Sequence, residues 1–283
     1  MSGVLLLTTP TTRVDAPPSG VVVEESPAEI DWDTTQETMA AIARRVRRAL
    51  GEEGFAGVVV PHGPDTLEAT AYLTDLVAGR AAERGAIVFT TPGSGLRTAV
   101  RAAADPRLHG VGAVACIGDE LHAARWVRAD ADGFTSRPAP PLGRVGPAGV
   151  ALTAEPPPRP PAPQGHPDTN IGLLRVYPGI AAQLLMTLAD AGARGIVLEG
   201  TGEGNVPVTL LATIADLVEW NIPVVVTSRT RAPRPPQPPN GLAARVGAVL
   251  AGNLSSAKAL AALMVAVNHA AGVRDYLERL AAP

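Results

Sequence analysis

Lysine is almost absent from this chain: Lys258 stands alone against 23 arginines. An abundance of alanine, arginine and proline fits a GC-rich genome, so the bias is no functional signal by itself. It does leave a single residue able to supply an ammonium group. Cysteine is equally scarce. Cys116 has no partner for an intramolecular disulfide, and in the apolar run Val114–Ile117 it reads as a small core residue rather than a nucleophile. No apolar run approaches the roughly 18 residues of a transmembrane helix. The segment Met1–Leu7 lacks a basic stretch and breaks into threonines after four apolar residues, so it reads as a first strand and not a signal peptide. A cytoplasmic location is expected. A net charge of −3 offers no basic field, so neither nucleic acid nor membrane is expected as a partner. The histidines, at 62, 109, 122, 166 and 269, show no zinc-ligand spacing, and neither a nucleophile elbow nor a phosphate-binding P-loop occurs. No metal and no cofactor are expected. His122 and Glu120 flank Leu121 and read as a surface pair.

What the chain does contain is alternation. A hydrophobic share of 46% marks a globular protein. Buried-strand runs at Val4–Leu7, Gly57–Val60, Ala86–Phe89 and Gly112–Ile117 alternate with helical patterns near Thr35–Leu50, Thr66–Arg84 and Leu96–Ala104. That order predicts an α/β fold: a large N-terminal domain with a mostly parallel sheet and helices on both faces. The short turn-bounded runs Trp126–Ala129, Gly133–Thr135 and Gly149–Leu152 look like antiparallel ribbon. Seven prolines in Ala154–Asp168 exclude a central strand or helix interior and predict a stiff linker. Alternation resumes with strands at Ile171–Val176, Gly195–Leu198 and Pro223–Thr227 and helices at Ile180–Ala189, Pro207–Glu219 and Ser255–His269, a smaller C-terminal α/β domain. The expected division is 1–153, a linker at 154–168, and 169–283. A second proline-rich segment, Ala232–Pro239, reads as a loop.

Three segments carry candidate chemistry. In Val58-Val59-Val60-Pro61-His62-Gly63-Pro64-Asp65-Thr66 a strand ends in a tight turn before a helix, the position where open α/β sheets bind ligands. Asp65 or Thr66 suits the helix N-cap, with Glu68 placed as in a capping box. Asp65 equally suits a cleft that binds a cationic group. Thr8 ends the first strand, where a hydroxyl can attack a bound carbonyl once a base removes its proton; its own segment supplies none. The loop Glu199–Pro207 has three glycines but lacks the dinucleotide fingerprint, and reads as presenting Asn205 and backbone groups to a small ligand.

Set together, these segments resemble the bacterial-type L-asparaginase family, which hydrolyses the side-chain amide of asparagine and often of glutamine. The likeness rests on Leu5-Leu6-Leu7-Thr8, on His62-Gly63-Pro64-Asp65-Thr66 with Glu68 and Thr70-Ala71-Tyr72, on Asp119-Glu120, Ala124-Arg125 and Pro141-Leu142-Gly143, and on Leu198–Pro207, Val225–Arg229 and Ala251–Leu254. The resemblance implies subunits assembled in pairs, a homodimer or homotetramer whose site lies between one large domain and the neighbour's small domain. It implies Thr8 as the first nucleophile and Asp65 as the aspartate that holds the substrate ammonium. The family's second threonine falls on Pro64, which has neither hydroxyl nor N–H, and its lysine falls near Ala129. The tyrosine of the loop after Thr8 has no counterpart, because the tyrosines are at 72, 177 and 276. The carboxylate-binding positions fall near Asp31 and Trp32, an aspartate that repels a carboxylate and a tryptophan that fills space. The turn Thr90–Gly95 is shortened, and no glutamate in Ala232–Asn240 matches the one a neighbour contributes.

The expectation is therefore an asparaginase-like amidohydrolase homologue with an eroded site, not an efficient L-asparaginase. It acts on or binds a small amide or amino-acid-derived ligand at Thr8 and Asp65, with His62, Asp31, Trp32 and Asn205 around it. In an active enzyme Asp31, Asp33, His62 or a substrate amine replaces the lost base. The alternatives are a repurposed member catalysing a non-hydrolytic step in specialised metabolism and a non-catalytic binding homologue.

Overall fold

Val4–Thr8 (β1) is buried along its whole length, as a run of aliphatic residues flanked by parallel neighbours must be. The computed structural model describes residues 3–8, 17–26, 31–131, 133–230 and 241–281. It divides into two compact units, Met1–Ala162 and Pro163–Pro283, with the division inside the proline-rich segment.

In the first unit β1 pairs in parallel with Val21–Glu25 (β2) on one side and Gly57–Pro61 (β3) on the other. Ala86–Thr90 (β4) and Ala113–Ile117 (β5) continue the parallel sheet. Glu120–Ala123 (β6), Gly143–Gly146 (β9) and Gly149–Leu152 (β10) extend it antiparallel, and Arg128–Asp130 (β7) forms a separate hairpin with Gly133–Thr135 (β8). The sheet order is β10-β9-β6-β5-β4-β3-β1-β2. The chain passes from β1 to β2 and then returns to the other side of β1 as β3. That reversal makes the carboxyl ends of β1 and β3 the topological switch point, where a crevice opens in sheets of this type.

Alternate residues of each strand serve opposite faces. Leu5, Leu7, Val58, Val60, Ile87 and Phe89 pack against helices Gln36–Gly51 (α1) and Leu67–Ala78 (α2). Leu6, Val59 and Val88 face Leu96–Ala103 (α3). Helix α1 buries Met39, Ile42, Ala43, Val46, Ala49 and Leu50, one stripe at helical spacing, and Thr35 caps its start by accepting the Thr38 N–H at 3.2 Å.

The strand β2 departs from the sequence pattern. It lies in what reads as a Pro/Gly/Ser-rich loop, but three consecutive valines after Gly20 favour an extended edge strand, two of them exposed. The helix expected over Thr66–Arg84 stops at Ala78, and Gly79–Glu83 tightens into a 3-10 turn, because Gly79 adopts φ 51°.

The second unit holds a four-stranded parallel sheet in sequential order: Ile171–Arg175 (β11), Gly195–Gly200 (β12), Val224–Ser228 (β13) and Val249–Leu250 (β14). Its helices are Gln183–Asp190 (α4), Leu211–Glu219 (α5), Leu242–Arg245 (α6), Ser256–Ala266 (α7) and Gly272–Ala281 (α8). One sheet face buries Ile196, Leu198, Val224 and Val226 with Leu185, Ile214 and Leu217. The segments 9–16 and 231–240, including the loop after Thr8 and the expected Ala232–Pro239 loop, lie outside the described residues.

Candidate functional site

Thr8 sits at the carboxyl end of β1, 8% exposed, and its hydroxyl donates to the Glu24 carbonyl at 3.3 Å. Leu6 is level with Val59 on β3, so two residues further on Thr8 comes level with Pro61 and the turn that follows it. The sheet thus brings Thr8 and the His62–Thr66 turn to the same switch point.

The turn itself is built on Asp31, which opens the 3-10 turn Asp31–Asp33. Asp31 Oδ2 accepts the Asp65 N–H at 3.3 Å. The Thr66 hydroxyl donates to the Asp31 carbonyl at 3.1 Å and to Oδ1 at 3.3 Å. A Cβ on Gly63 would lie 1.7 Å from Asp31 Cγ, so glycine is what admits this carboxylate. Asp31 and Asp65 therefore belong to one hydrogen-bonded turn, and among the described residues neither is in an ion pair. Thr66, not Asp65, occupies the N-cap position of α2, and its side chain makes no capping hydrogen bond. The Thr66 hydroxyl is spent on Asp31 instead.

His62 is 2% exposed. Its backbone N–H donates to Thr90 O at 2.8 Å. Its Nδ1 lies 3.0 Å from the Gly63 carbonyl. A carbonyl accepts only, so Nδ1 carries the proton and Nε2 keeps its lone pair. Burial pushes the imidazole below its ordinary value, opposed by the Gly63 carbonyl and the Asp31 carboxylate. The ring is therefore neutral at neutral pH.

Trp32, the residue after Asp31, is 70% exposed. A three-residue 3-10 turn that aims its first side chain inward turns the next outward. Ala129 lies exposed in the β7–β8 hairpin, opposite Phe134. Pro64 is exposed and brings no hydroxyl to the turn.

Sequence reasoning did not single out Thr90. It ends β4 in register with Pro61, is 1% exposed, and its hydroxyl has no hydrogen-bond partner among the described residues. Ser26, after β2, likewise holds a buried, unpartnered hydroxyl. The available signal was a hydroxyl residue at the carboxyl end of each neighbouring strand. Asn205 lies in the second unit, exposed, in the turn after β12. Thr201 and Asn205 exchange backbone hydrogen bonds at 2.9 and 2.8 Å, and Ser228 Oγ donates to Gly202 O at 2.7 Å, fastening the loop to the end of β13. Lys258 is fully buried on α7, whose N-cap Ser255 accepts its N–H. Among the described residues no cluster of histidine, cysteine or acidic side chains is arranged to hold a metal, and no helix is long and apolar enough to cross a membrane.

The family model for the N-terminal domain of asparaginase matches residues 13–158, and that for the glutaminase/asparaginase C-terminal domain matches 170–277. An L-asparaginase from Bacillus licheniformis is 28% identical over 69% of this chain and 64% of its own length. A glutaminase-asparaginase from Pseudomonas aeruginosa is 26% identical over 70% and 59%. One component of the glutamyl-tRNA(Gln) amidotransferase from Methanothermobacter thermautotrophicus is 29% identical over 65% and 47%. The chain thus spans between about half and two thirds of these curated relatives.

Proposed function

The chain belongs to the asparaginase family, and from that premise we propose that it binds a small amide carrying a free amine at Thr8 and Asp65 and hydrolyses asparagine poorly. The observation that carries the reading is the Asp31 carboxylate seated on the Asp65 turn. Two carboxylates in one turn attract an ammonium and repel the α-carboxylate of a free amino acid. The fitting ligand therefore keeps an amine and a primary amide and lacks the carboxylate.

Weak hydrolysis follows from the proton path. Thr8 is the nucleophile if turnover occurs, yet among the described residues its hydroxyl bonds a backbone carbonyl rather than a base. Pro64 and Ala129 bring neither hydroxyl nor ammonium where the family resemblance places them. His62 Nε2 is the best candidate for a base, a neutral imidazole nitrogen beside the turn. Losing members of a unit that acts together lowers kcat by several orders of magnitude. We further assign the domains to 1–153 and 169–283, with 154–168 between them, and take a homodimer or homotetramer as the form in which Asn205 of one copy completes the site of another.

The test pairs asparagine with β-alaninamide, which is asparagine without its α-carboxylate. β-Alaninamide is expected to raise the melting temperature more than asparagine does. Asp31→Asn is expected to weaken that binding about 10-fold, or about 1.4 kcal/mol. Ammonia release from asparagine is expected to be slow and to vanish in Thr8→Ala. Rapid asparagine turnover, or tighter binding of asparagine than of β-alaninamide, overturns the reading.

A further inference from the structure

A cavity of about 390 Å³ in the first unit is lined by Glu120, His122, Asp130, Phe134, Ser136 and Arg137 among others, and by none of Thr8, Asp31, His62 or Asp65. His122 and Glu120 are not the surface pair that their spacing suggests. His122 and Ser136 are each 3% exposed. The Ser136 hydroxyl lies 2.9 Å from His122 Nδ1. On the other side of the ring Nε2 lies 3.6 Å from Glu120 Oε2, within electrostatic reach though longer than a hydrogen bond. Arg144 Nη2 donates to the other Glu120 oxygen at 2.5 Å and fixes the carboxylate in place.

Of the two imidazole tautomers, the one with Nε2–H toward Glu120, whose ionised carboxylate only accepts, leaves the Nδ1 lone pair for the Ser136 O–H, and it is the one the chemistry below uses. Burial pushes the His122 imidazole below its ordinary value, opposed by Glu120, so the ring is a free base at neutral pH. A serine hydroxyl on a neutral imidazole, oriented by a carboxylate and opening on a cavity, is the arrangement that makes a hydroxyl nucleophilic on any fold.

We propose that Ser136, His122 and Glu120 form a second, acyl-transfer centre that hydrolyses small uncharged acyl esters. Ser136 Oγ bonds to the ester carbonyl carbon while its proton passes to His122 Nδ1. The bond to the leaving alkoxide breaks, and Nδ1 returns the proton to that oxygen. Water then attacks the acyl-serine, giving its proton to Nδ1, and the freed Ser136 oxygen takes it back as the carboxylic acid departs. Glu120 is a positioning residue that steadies the imidazolium formed in each half. Arg137 supplies the positive charge suited to the tetrahedral oxyanion. Phe134 gives the acyl chain an apolar wall, and Glu120 and Asp130 disfavour an anionic acyl group. The cavity volume suits a short-chain ester, being at the small end of the roughly 300–1,000 Å³ of ligand sites.

The test uses the full chain, p-nitrophenyl acetate and a fluorophosphonate that traps activated serines. Peptide mapping of the wild-type chain is expected to place the label on Ser136, a result that needs no variant to fold. His122→Asn is expected to lower both ester turnover and labelling about 100-fold. Glu120→Gln is expected to lower kcat with KM unchanged, which a merely structural role would not separate. Absence of label on Ser136, or labelling undiminished in His122→Asn, overturns the proposal. Neither outcome bears on ammonia release from amides, so this proposal and the amide reading fail separately.

Discussion

The Asp31 carboxyl group occupies the space that a side chain on Gly63 would need: a Cβ there falls 1.7 Å from Asp31 Cγ and 2.2 Å from Asp31 Cβ. Because the clash reaches back to Cβ, no rotation of the carboxylate relieves it, and the Asp31–Asp33 turn must move as a whole. Gly63→Ala is therefore expected to release the Asp65 N–H and the Thr66 hydroxyl and to cost about 1–3 kcal/mol, the range for forcing extra volume into a packed site. A lowered urea midpoint together with loss of the β-alaninamide thermal shift checks it. An alanine variant as stable as the wild type that still binds the amide contradicts the placement of Asp31.

The proline-rich segment after the first sheet is tied down at Arg159. Its Nη1 donates to Asp75 Oδ1 at 2.5 Å and its Nη2 to the Asp75 carbonyl at 3.3 Å. Asp75 is 4% exposed and also accepts the Ala113 N–H at 2.8 Å, so this carboxylate joins α2 to β5 and to the segment. Arg159→Ala removes the cation that is hydrogen-bonded to that acid. The expected loss is about 2 kcal/mol, that of a hydrogen bond to a charged group, and Arg159→Lys is expected to recover part of it. Urea denaturation gives the midpoint. Limited proteolysis is expected to cut 154–162 faster in the alanine variant.

The strands at Val4–Thr8, Gly57–Pro61 and Ala86–Thr90 were legible because each is a short aliphatic run between turn residues, and burial on both faces leaves no other use for such a run. The edge strand Val21–Glu25 was hidden by the prolines and glycine around it and by its own exposure, which breaks the pattern of a buried strand. At the site, Thr8, His62 and Asp65 could be placed from the sequence because their positions follow from strand ends. The role of Asp31 could not. Its contacts to Asp65 and Thr66 span more than 30 residues of chain, and nothing local to Asp31 announces them. Thr90 and Ser136 escaped for the same reason, since burial of a lone hydroxyl is a property of packing. Trp32 could not be placed from the sequence either, because the direction of its side chain follows from the turn that Asp31 opens, which leaves it 70% exposed.

The buried His62 imidazole gives the fold a pH dependence whose sign can be worked out. Its folded value lies below the ordinary 6.5, chiefly through burial, while the unfolded chain titrates near 6.5. As pH falls below 6.5 the unfolded chain takes up a proton that the folded site refuses, so stability drops until the pH passes the folded value. His62→Asn keeps a donor for the Gly63 carbonyl and removes the titration. Its melting temperature is expected to fall less steeply than that of the wild type below pH 6.5. A residual slope is expected, because His122 is depressed in the same direction. Equal slopes for wild type and variant rule out the neutral, buried imidazole at position 62.

Asp105 works in the opposite sense, through charge held rather than charge refused. Its carboxylate accepts from Arg107 Nε at 2.8 Å and Nη2 at 2.6 Å, and from the backbone N–H groups of Arg107 at 3.1 Å and Val150 at 2.8 Å. The Arg107 side chain is the largest influence, and together these donors lower the acid from 3.8 to about 2. Through Val150 the group fastens β10, the last strand of the sheet, to the loop after α3. A depressed carboxyl stabilises the folded chain above its unfolded value and loses that contribution as pH falls through the folded one. Asp105→Asn keeps one acceptor oxygen but not the charge, and leaves at least one of the two backbone donors facing an amide N–H. At neutral pH the variant is expected to be less stable by about 1–3 kcal/mol. The gap between the two proteins is expected to narrow from pH 3.8 towards 2, as the wild-type carboxyl itself becomes neutral. Urea midpoints measured at about pH 7, 4 and 2.5 check both the size and the closing of the gap. A difference that stays constant across that range means the donors at Arg107 and Val150 do not depend on the carboxylate charge.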